Sequence, residues 1–78
     1  MSPISPLPQL SEGQQAKVTA LLSTGSMRRR LQDLGIVRGS TIECLHKGPS
    51  GDPIAYKIKG TIIALRQEDA NNIIVTYS

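Results

Sequence analysis

Residues 48–65 read GPSGDPIAYKIKGTIIAL, and this stretch decides the fold class. Gly48, Pro49, Ser50, Gly51, Asp52 and Pro53 concentrate the residues that interrupt regular structure, which predicts a hairpin loop. From Ile54 to Lys59 the chain alternates. Ile54, Tyr56 and Ile58 fall on one side and Ala55, Lys57 and Lys59 on the other, the period-two pattern of a half-buried strand. Pro53 fixes φ where that strand begins, and Gly51 permits a positive φ in the turn. Gly60 marks a bend or bulge. Thr61 to Leu65 then forms a further strand, more uniformly apolar.

Working outward, the same pattern recurs on both sides. Thr41 to Lys47 reads as a strand. From Gln15 to Leu22, Ala16, Val18, Ala20 and Leu22 alternate with Lys17 and Thr19. Glu68 to Asn71 suits one helical turn, and Asn72 to Tyr77 a closing strand. Residues 1–9 carry Pro3, Pro6 and Pro8, which predicts an extended arm without regular hydrogen bonding. Leu10 to Gly13 turn into the domain, which runs over residues 10–78. Five short strands with one small helix predict a mainly β protein, a compact five-stranded barrel.

The helix follows the first of these strands. Met27, Leu31 and Leu34 fall at i, i+4 and i+7 and line one side, and Ser26 is the expected N-cap. Gly35 can take the left-handed conformation that stops it, with Ile36 reaching back to Leu31 in a Schellman ending. Arg28, Arg29 and Arg30 stand in the first turn, facing the positive end of the helix dipole. So short a helix must be held by packing. Local stability therefore does not explain the arginines, which points to a partner surface.

Composition bounds the function. Seventy-eight residues make one small domain, with 38% hydrophobic residues, nine Lys or Arg against six Asp or Glu, and a formal charge of +3. Phe and Trp are absent, and Tyr56 and Tyr77 are the only aromatics. The core must be aliphatic and leaves little room for an enclosed catalytic cavity. A single cysteine excludes an internal disulfide and fits a reducing compartment. No signal peptide or bilayer-spanning run is seen, so a cytoplasmic location is expected.

Chemistry-bearing residues are few. No nucleophile elbow, P-loop or paired-carboxylate pattern appears, so an enzyme is not expected. Cys44 and His46, at i and i+2 of one strand, should share a face. Two ligands make no zinc site, and the simpler reading is a core cysteine beside a strand-end histidine. No metal or cofactor is expected. The three arginines fan around the helix instead of forming a stripe, and Arg30 has Asp33 at i+3 as a local partner. No aromatic interleaves with them for base stacking. An aromatic-lined groove for proline-rich peptides is also lacking.

Several of these pieces, in order and spacing, resemble the ferrous-iron transport protein A (FeoA) family. They are Leu10 to Gly13, the Val18 strand, Arg30-Leu31, Leu34-Gly35, Gly39, Gly51-Asp52-Pro53-Ile54, Ala64-Leu65-Arg66, Asp69-Ala70 and Ile73. The resemblance implies an SH3-like β-barrel with a small helix after its first strand. It further implies a non-enzymatic cytosolic role in ferrous-iron uptake beside FeoB, the membrane transporter with a GTPase domain, without insertion into the membrane. Met27, Arg28, Arg29, Arg30, Leu31 and Leu34 are the expected partner-binding residues. At least one of Leu31 and Leu34 should serve the core instead. Arg38 departs from the family, which usually has proline there, and Cys44 and His46 match no family metal motif. Arg66 is expected to bond the end of the barrel. The rival reading is a small basic barrel that binds nucleic acid; a metal-responsive repressor domain would lack its helix-turn-helix. Self-association through an exposed strand edge is left open.

Overall fold

Ile54, Tyr56 and Ile58 are buried while Lys57 is exposed, as the alternating pattern requires. In the computed structural model, which describes residues 4–77, this strand is β4 (Ile54–Ile58) of a six-stranded sheet. The other strands are β1 (Ile4–Pro6), β2 (Gln15–Leu21), β3 (Thr41–Lys47), β5 (Thr61–Leu65) and β6 (Ile73–Thr76). Helix α1 (Gly25–Asp33) lies between β2 and β3, and the single turn α2 (Gln67–Ala70) between β5 and β6. All neighbours are antiparallel, in the order β1-β6-β2-β3-β4-β5. The five expected strands are present, and the helix follows the first of them.

The sixth strand comes from the N-terminal segment. The backbone there is extended, but it is hydrogen-bonded: Ile4, Ser5 and Pro6 pair with Thr76, Val75 and Ile74 of β6. Pro6 is tolerated because β1 is an edge strand and needs partners on one side only. Leu7, in the 3-10 turn that follows, is fully buried, as is Leu10. The expectation of an unpaired arm fails for these residues; positions 1–3 lie outside the described part. The ladder does not close between β1 and β5, so the sheet keeps two edges.

Two bulges set which side chains face inward. Val18 pairs with Val75 but Ala20 with Ile74, so Thr19 is an extra residue in β2. Its Oγ1 donates to the Ile74 carbonyl at 3.1 Å. Beyond it the facing reverses: Leu21 packs on the core and Leu22 is 59% exposed. The predicted alternation therefore holds for Ala16 and Val18 and fails at Leu22. Likewise Cys44 pairs with Tyr56 but His46 with Ala55, making Leu45 the extra residue in β3. A bulge puts two residues opposite one and reverses the strand's parity.

Helix α1 starts one residue before the expected cap. Thr24 is the N-cap and makes no side-chain cap bond, so Ser26 lies within the first turn. The C-terminal end follows the Schellman pattern. Ile36 N–H donates to the Leu31 carbonyl and Gly35 N–H to the Gln32 carbonyl, both at 2.9 Å, with Gly35 at φ +95°. Gly60 is no bulge. With Lys59 it forms the two-residue turn between β4 and β5, both at positive φ (50° and 79°), which suits the twist of a hairpin.

The core is aliphatic around one aromatic, Tyr56; Val18, Leu31, Ile36, Ile42 and Ile73 are at most 1% exposed. Leu31→Ala should cost ~2–5 kcal/mol, whereas Leu34→Ala, at a half-buried position, should cost clearly less. Chemical denaturation of the two variants tests this, and equal losses would refute the assignment of Leu31 as the anchor.

Candidate interaction surface

Leu31 fixes how α1 presents its other residues. At 100° per residue, Met27 and Leu34 lie within about 60° of Leu31 on one flank, with Arg30 about 100° round the same way. Arg28 and Gln32 occupy the other flank, and Arg29 and Asp33 point about 160° away. The burial agrees: Leu31 is wholly enclosed, Met27 and Leu34 are half-buried, and Arg28, Arg29 and Arg30 are exposed. Leu31 is therefore removed from the expected contact set, since its side chain holds the helix to the sheet. The remaining residues fan around the helix: Met27, Leu34 and Arg30 on one flank, Arg28 on the other and Arg29 on the outer side.

The arginines differ in their engagement. Arg28 Nη1 donates to the Leu21 carbonyl at 2.7 Å, tying the helix to the end of β2. Among the described residues the ion pairs are His46–Glu12 and Arg66–Asp52. The expected Arg30–Asp33 pair does not form, and the guanidinium groups of Arg29 and Arg30 have no partner there. No acidic residue stands in the first turn.

Sequence reasoning missed a groove on the Arg28 flank. Arg28 and Gln32, with Thr19, Ala20 and Leu21 of β2 and with Val37 and Arg38, line an open space of about 340 Å³. Arg38 arrives there because the loop after α1 is pinned to β2. Gly39 N–H donates to the Val18 carbonyl at 2.8 Å, and Val18 N–H donates to Ser40 at 2.9 Å. Ser40 Oγ donates in turn to the Gly35 carbonyl. Nothing in residues 36–40 has strand periodicity, so no sequence pattern announced this pairing.

The other polar groups hold the fold. Asp52 Oδ1 accepts the Gln67 N–H at 2.8 Å and so caps α2 from the hairpin loop, while Oδ2 pairs with Arg66 Nη1 at 3.4 Å. Arg66 thus binds within the chain, as expected. Glu12 Oε2 accepts the Lys47 N–H at 2.7 Å, the main reason its carboxyl lies below the usual range, and it also meets His46 Nδ1 at 3.2 Å. Lys47 Nζ donates to the Pro8 carbonyl. These bonds fasten the N-terminal turn to the end of β3.

Cys44 and His46 do not share a face, because the Leu45 bulge lies between them: Cys44 is fully buried and the His46 side chain is 73% exposed. No cluster of three or more His, Cys, Asp or Glu that could hold a metal is found among the described residues. Burial pushes the Cys44 thiol up, which keeps it protonated and weakly nucleophilic. Tyr56, opposite Cys44 in the ladder, is raised more strongly by burial, with Cys44 adding to it. The Tyr56 hydroxyl has no hydrogen-bond partner among the described residues. Cys44 and His46 are therefore not brought together as nucleophile and base.

Fold and surface define a small SH3-like domain, mainly β, with exposed arginines on helix α1. The FeoA domain model matches residues 5–77, and the chain belongs to the FeoA family. A fusion of Fe(2+) transport protein A with the Fe(2+) transporter FeoB, from Porphyromonas gingivalis, is 36% identical over 67 residues. That match covers 86% of this chain but 8% of the fusion protein, so the chain spans less than a tenth of that relative. The solution structure of FeoA from Chlorobium tepidum aligns at TM-score 0.86 and 35% identity, over 94% of this chain and 70% of that one. The FeoA of Stenotrophomonas maltophilia, an SH3 domain protein crystallised with zinc, aligns at 0.79 and 29%, over 96% and 88% of the two chains.

The buried phenol gives a pH test. Its folded pKa lies above the ordinary value of 10.0, so the folded state holds the proton more tightly than the unfolded state does. Stability should be level below that ordinary value and fall as pH climbs beyond it towards the folded one. Tyr56→Phe removes both the titrating group and an unpartnered hydroxyl. It should melt no lower than the parent at neutral pH and lose less stability in alkali. A melt series across alkaline pH that shows the same decline in both proteins would exclude Tyr56 as the cause.

Proposed function

We propose that this protein is a non-enzymatic accessory component of ferrous-iron uptake. It acts in the cytoplasm by docking on the cytosolic part of a FeoB-type membrane GTPase transporter. The observation that carries this reading is the Porphyromonas gingivalis fusion, in which a relative of this domain and the transporter are one polypeptide. Covalent linkage places two modules at high effective concentration, which is useful when they work against each other.

The contact surface is the outer side of α1, with Arg29 and Arg30 reaching toward an acidic region of the transporter. Arg28 and Arg38 border it, and the half-buried Met27 and Leu34 supply apolar edges. Charges on such a rim chiefly accelerate encounter and set salt dependence, while the apolar edges slow release. Burial of Tyr56 argues against the nucleic-acid reading, because it withdraws one of two aromatics from stacking on bases.

Replacing both Arg29 and Arg30 with Glu should weaken binding to the isolated cytosolic domain of the transporter about tenfold or more, corresponding to about 1.4 kcal/mol. The thermal melt should not move, because neither guanidinium has a partner among the described residues. Affinity measured by titration calorimetry and unchanged by the double substitution would remove α1 from the interface.

A further inference from the structure

The sheet ends on two edges of different character. β1 is three residues long and ends on Pro6, which has no N–H to offer. Short length and proline are common ways of blunting an edge. β5 has five residues, Thr61 to Leu65, with no charge and no proline. Its pairing with β4 runs without a bulge from Ile58↔Thr61 to Ile54↔Leu65. Ile62 is 67% exposed, and Thr61 and Ala64 are exposed beside it. A regular apolar edge of this kind is a template for another strand.

The register tells which backbone groups are free. The two-residue turn Lys59–Gly60 makes Ile58 and Thr61 a hydrogen-bonded pair. Alternation then directs the N–H and C=O groups of Thr61, Ile63 and Leu65 toward β4. Those of Ile62 and Ala64 point away from the sheet.

We propose that β5 is a self-association edge, through which two copies of this chain join antiparallel about a two-fold axis at Ile63. The axis sets Ile62 of one copy opposite Ala64 of the other. Both residues carry outward-pointing backbone groups, so each Ile62–Ala64 pair exchanges both of its N–H···O bonds. Side-chain size also matches, a large residue facing a small one on the outer face of the joined sheet. Such an interface is isologous and closes at the dimer.

Charge favours a second copy over a foreign strand. Lys57, opposite Ile62 on β4, is the nearest cation along that face, and β5 itself gives a charged partner nothing to pair with. Across the joined sheet the two Lys57 strands are about 14 Å apart, three strand spacings. That exceeds the Debye length of roughly 8 Å at physiological salt, so their repulsion is screened. Two five-residue strands bury well under the roughly 800 Å² per partner of a standard interface, so the dimer is weak and reversible.

Sedimentation equilibrium of the intact chain, from micromolar to millimolar concentration in reductant, tests this directly. The average mass should rise from the 8.4 kDa monomer toward twice that value and no further. Ile62→Lys puts a charge on the edge, and Ala64→Pro deletes an N–H that points away from β4; each should weaken association at least tenfold. Hydrogen exchange gives a second measurement that needs no variant. The Ile62 and Ala64 amides should exchange rapidly in dilute solution and slow as concentration rises, while the Ile63 amide stays protected throughout. A chain that remains monomeric at millimolar concentration overturns the proposal. So does association that neither variant weakens, or a mass that grows past the dimer.

Discussion

A strand places successive side chains on opposite faces, so one inserted residue reverses everything beyond it. This chain uses the device twice, at Thr19 in β2 and Leu45 in β3. The first insertion turns Leu21 toward the core and leaves Leu22 outside, which lets β2 end against the beginning of α1. There the Leu21 carbonyl is free to accept from Arg28. The second insertion carries His46 out of the sheet's interior to where Glu12 can bind it and the neighbouring Lys47 N–H. Both ends of the domain thus depend on a register that no single side chain could impose.

Helix α1 is held by its tail. Leu31 and Ile36 are fully buried, and the chain between them turns through the left-handed Gly35 with two backbone bonds closing the end. Lys59 lies against this end: a Cβ added at Gly35 would stand 3.2 Å from its Cδ. Its ammonium group therefore lies near the negative pole of the helix dipole, where a cation is stabilising. With the last turn fixed in this way, the first turn need contribute little to holding the helix.

Alternation made the β architecture readable, and the Schellman ending could be read from Leu31, Gly35 and Ile36 alone. The reversals after Val18 and Cys44 could not, because a bulge is decided by how the partner strand pairs and Thr19 and Leu45 are ordinary strand residues. β1 was hidden for another reason. Three prolines argue against a strand that must bond on both sides, but an edge asks for bonds on one side only, and the burial of Leu7 holds the segment in place. Of the surface, the outward fan of Arg28, Arg29 and Arg30 followed from helix geometry. The burial of Leu31 inside the expected contact set, and the approach of Arg38 to Arg28, required the tertiary pairing of residues 39–40 with Val18.

The charge pattern of α1 then acquires a physical meaning. A helix selected for its own stability would carry acidic residues in its first turn and basic ones in its last. α1 has no acid in its first turn; Arg28 and Arg29 stand in its middle, Arg30 stands in its last turn, where the dipole favours it, and Lys59 of the β4–β5 turn adds a second cation at that end. Arg28 bonds the Leu21 carbonyl, whereas the guanidinium groups of Arg29 and Arg30 have no partner among the described residues. In the core, the thiol of Cys44 and the phenol of Tyr56 are both buried and held protonated. The proposed docking on the transporter rests on the guanidinium groups of Arg29 and Arg30, which the described part of the fold leaves exposed on the outer surface of α1.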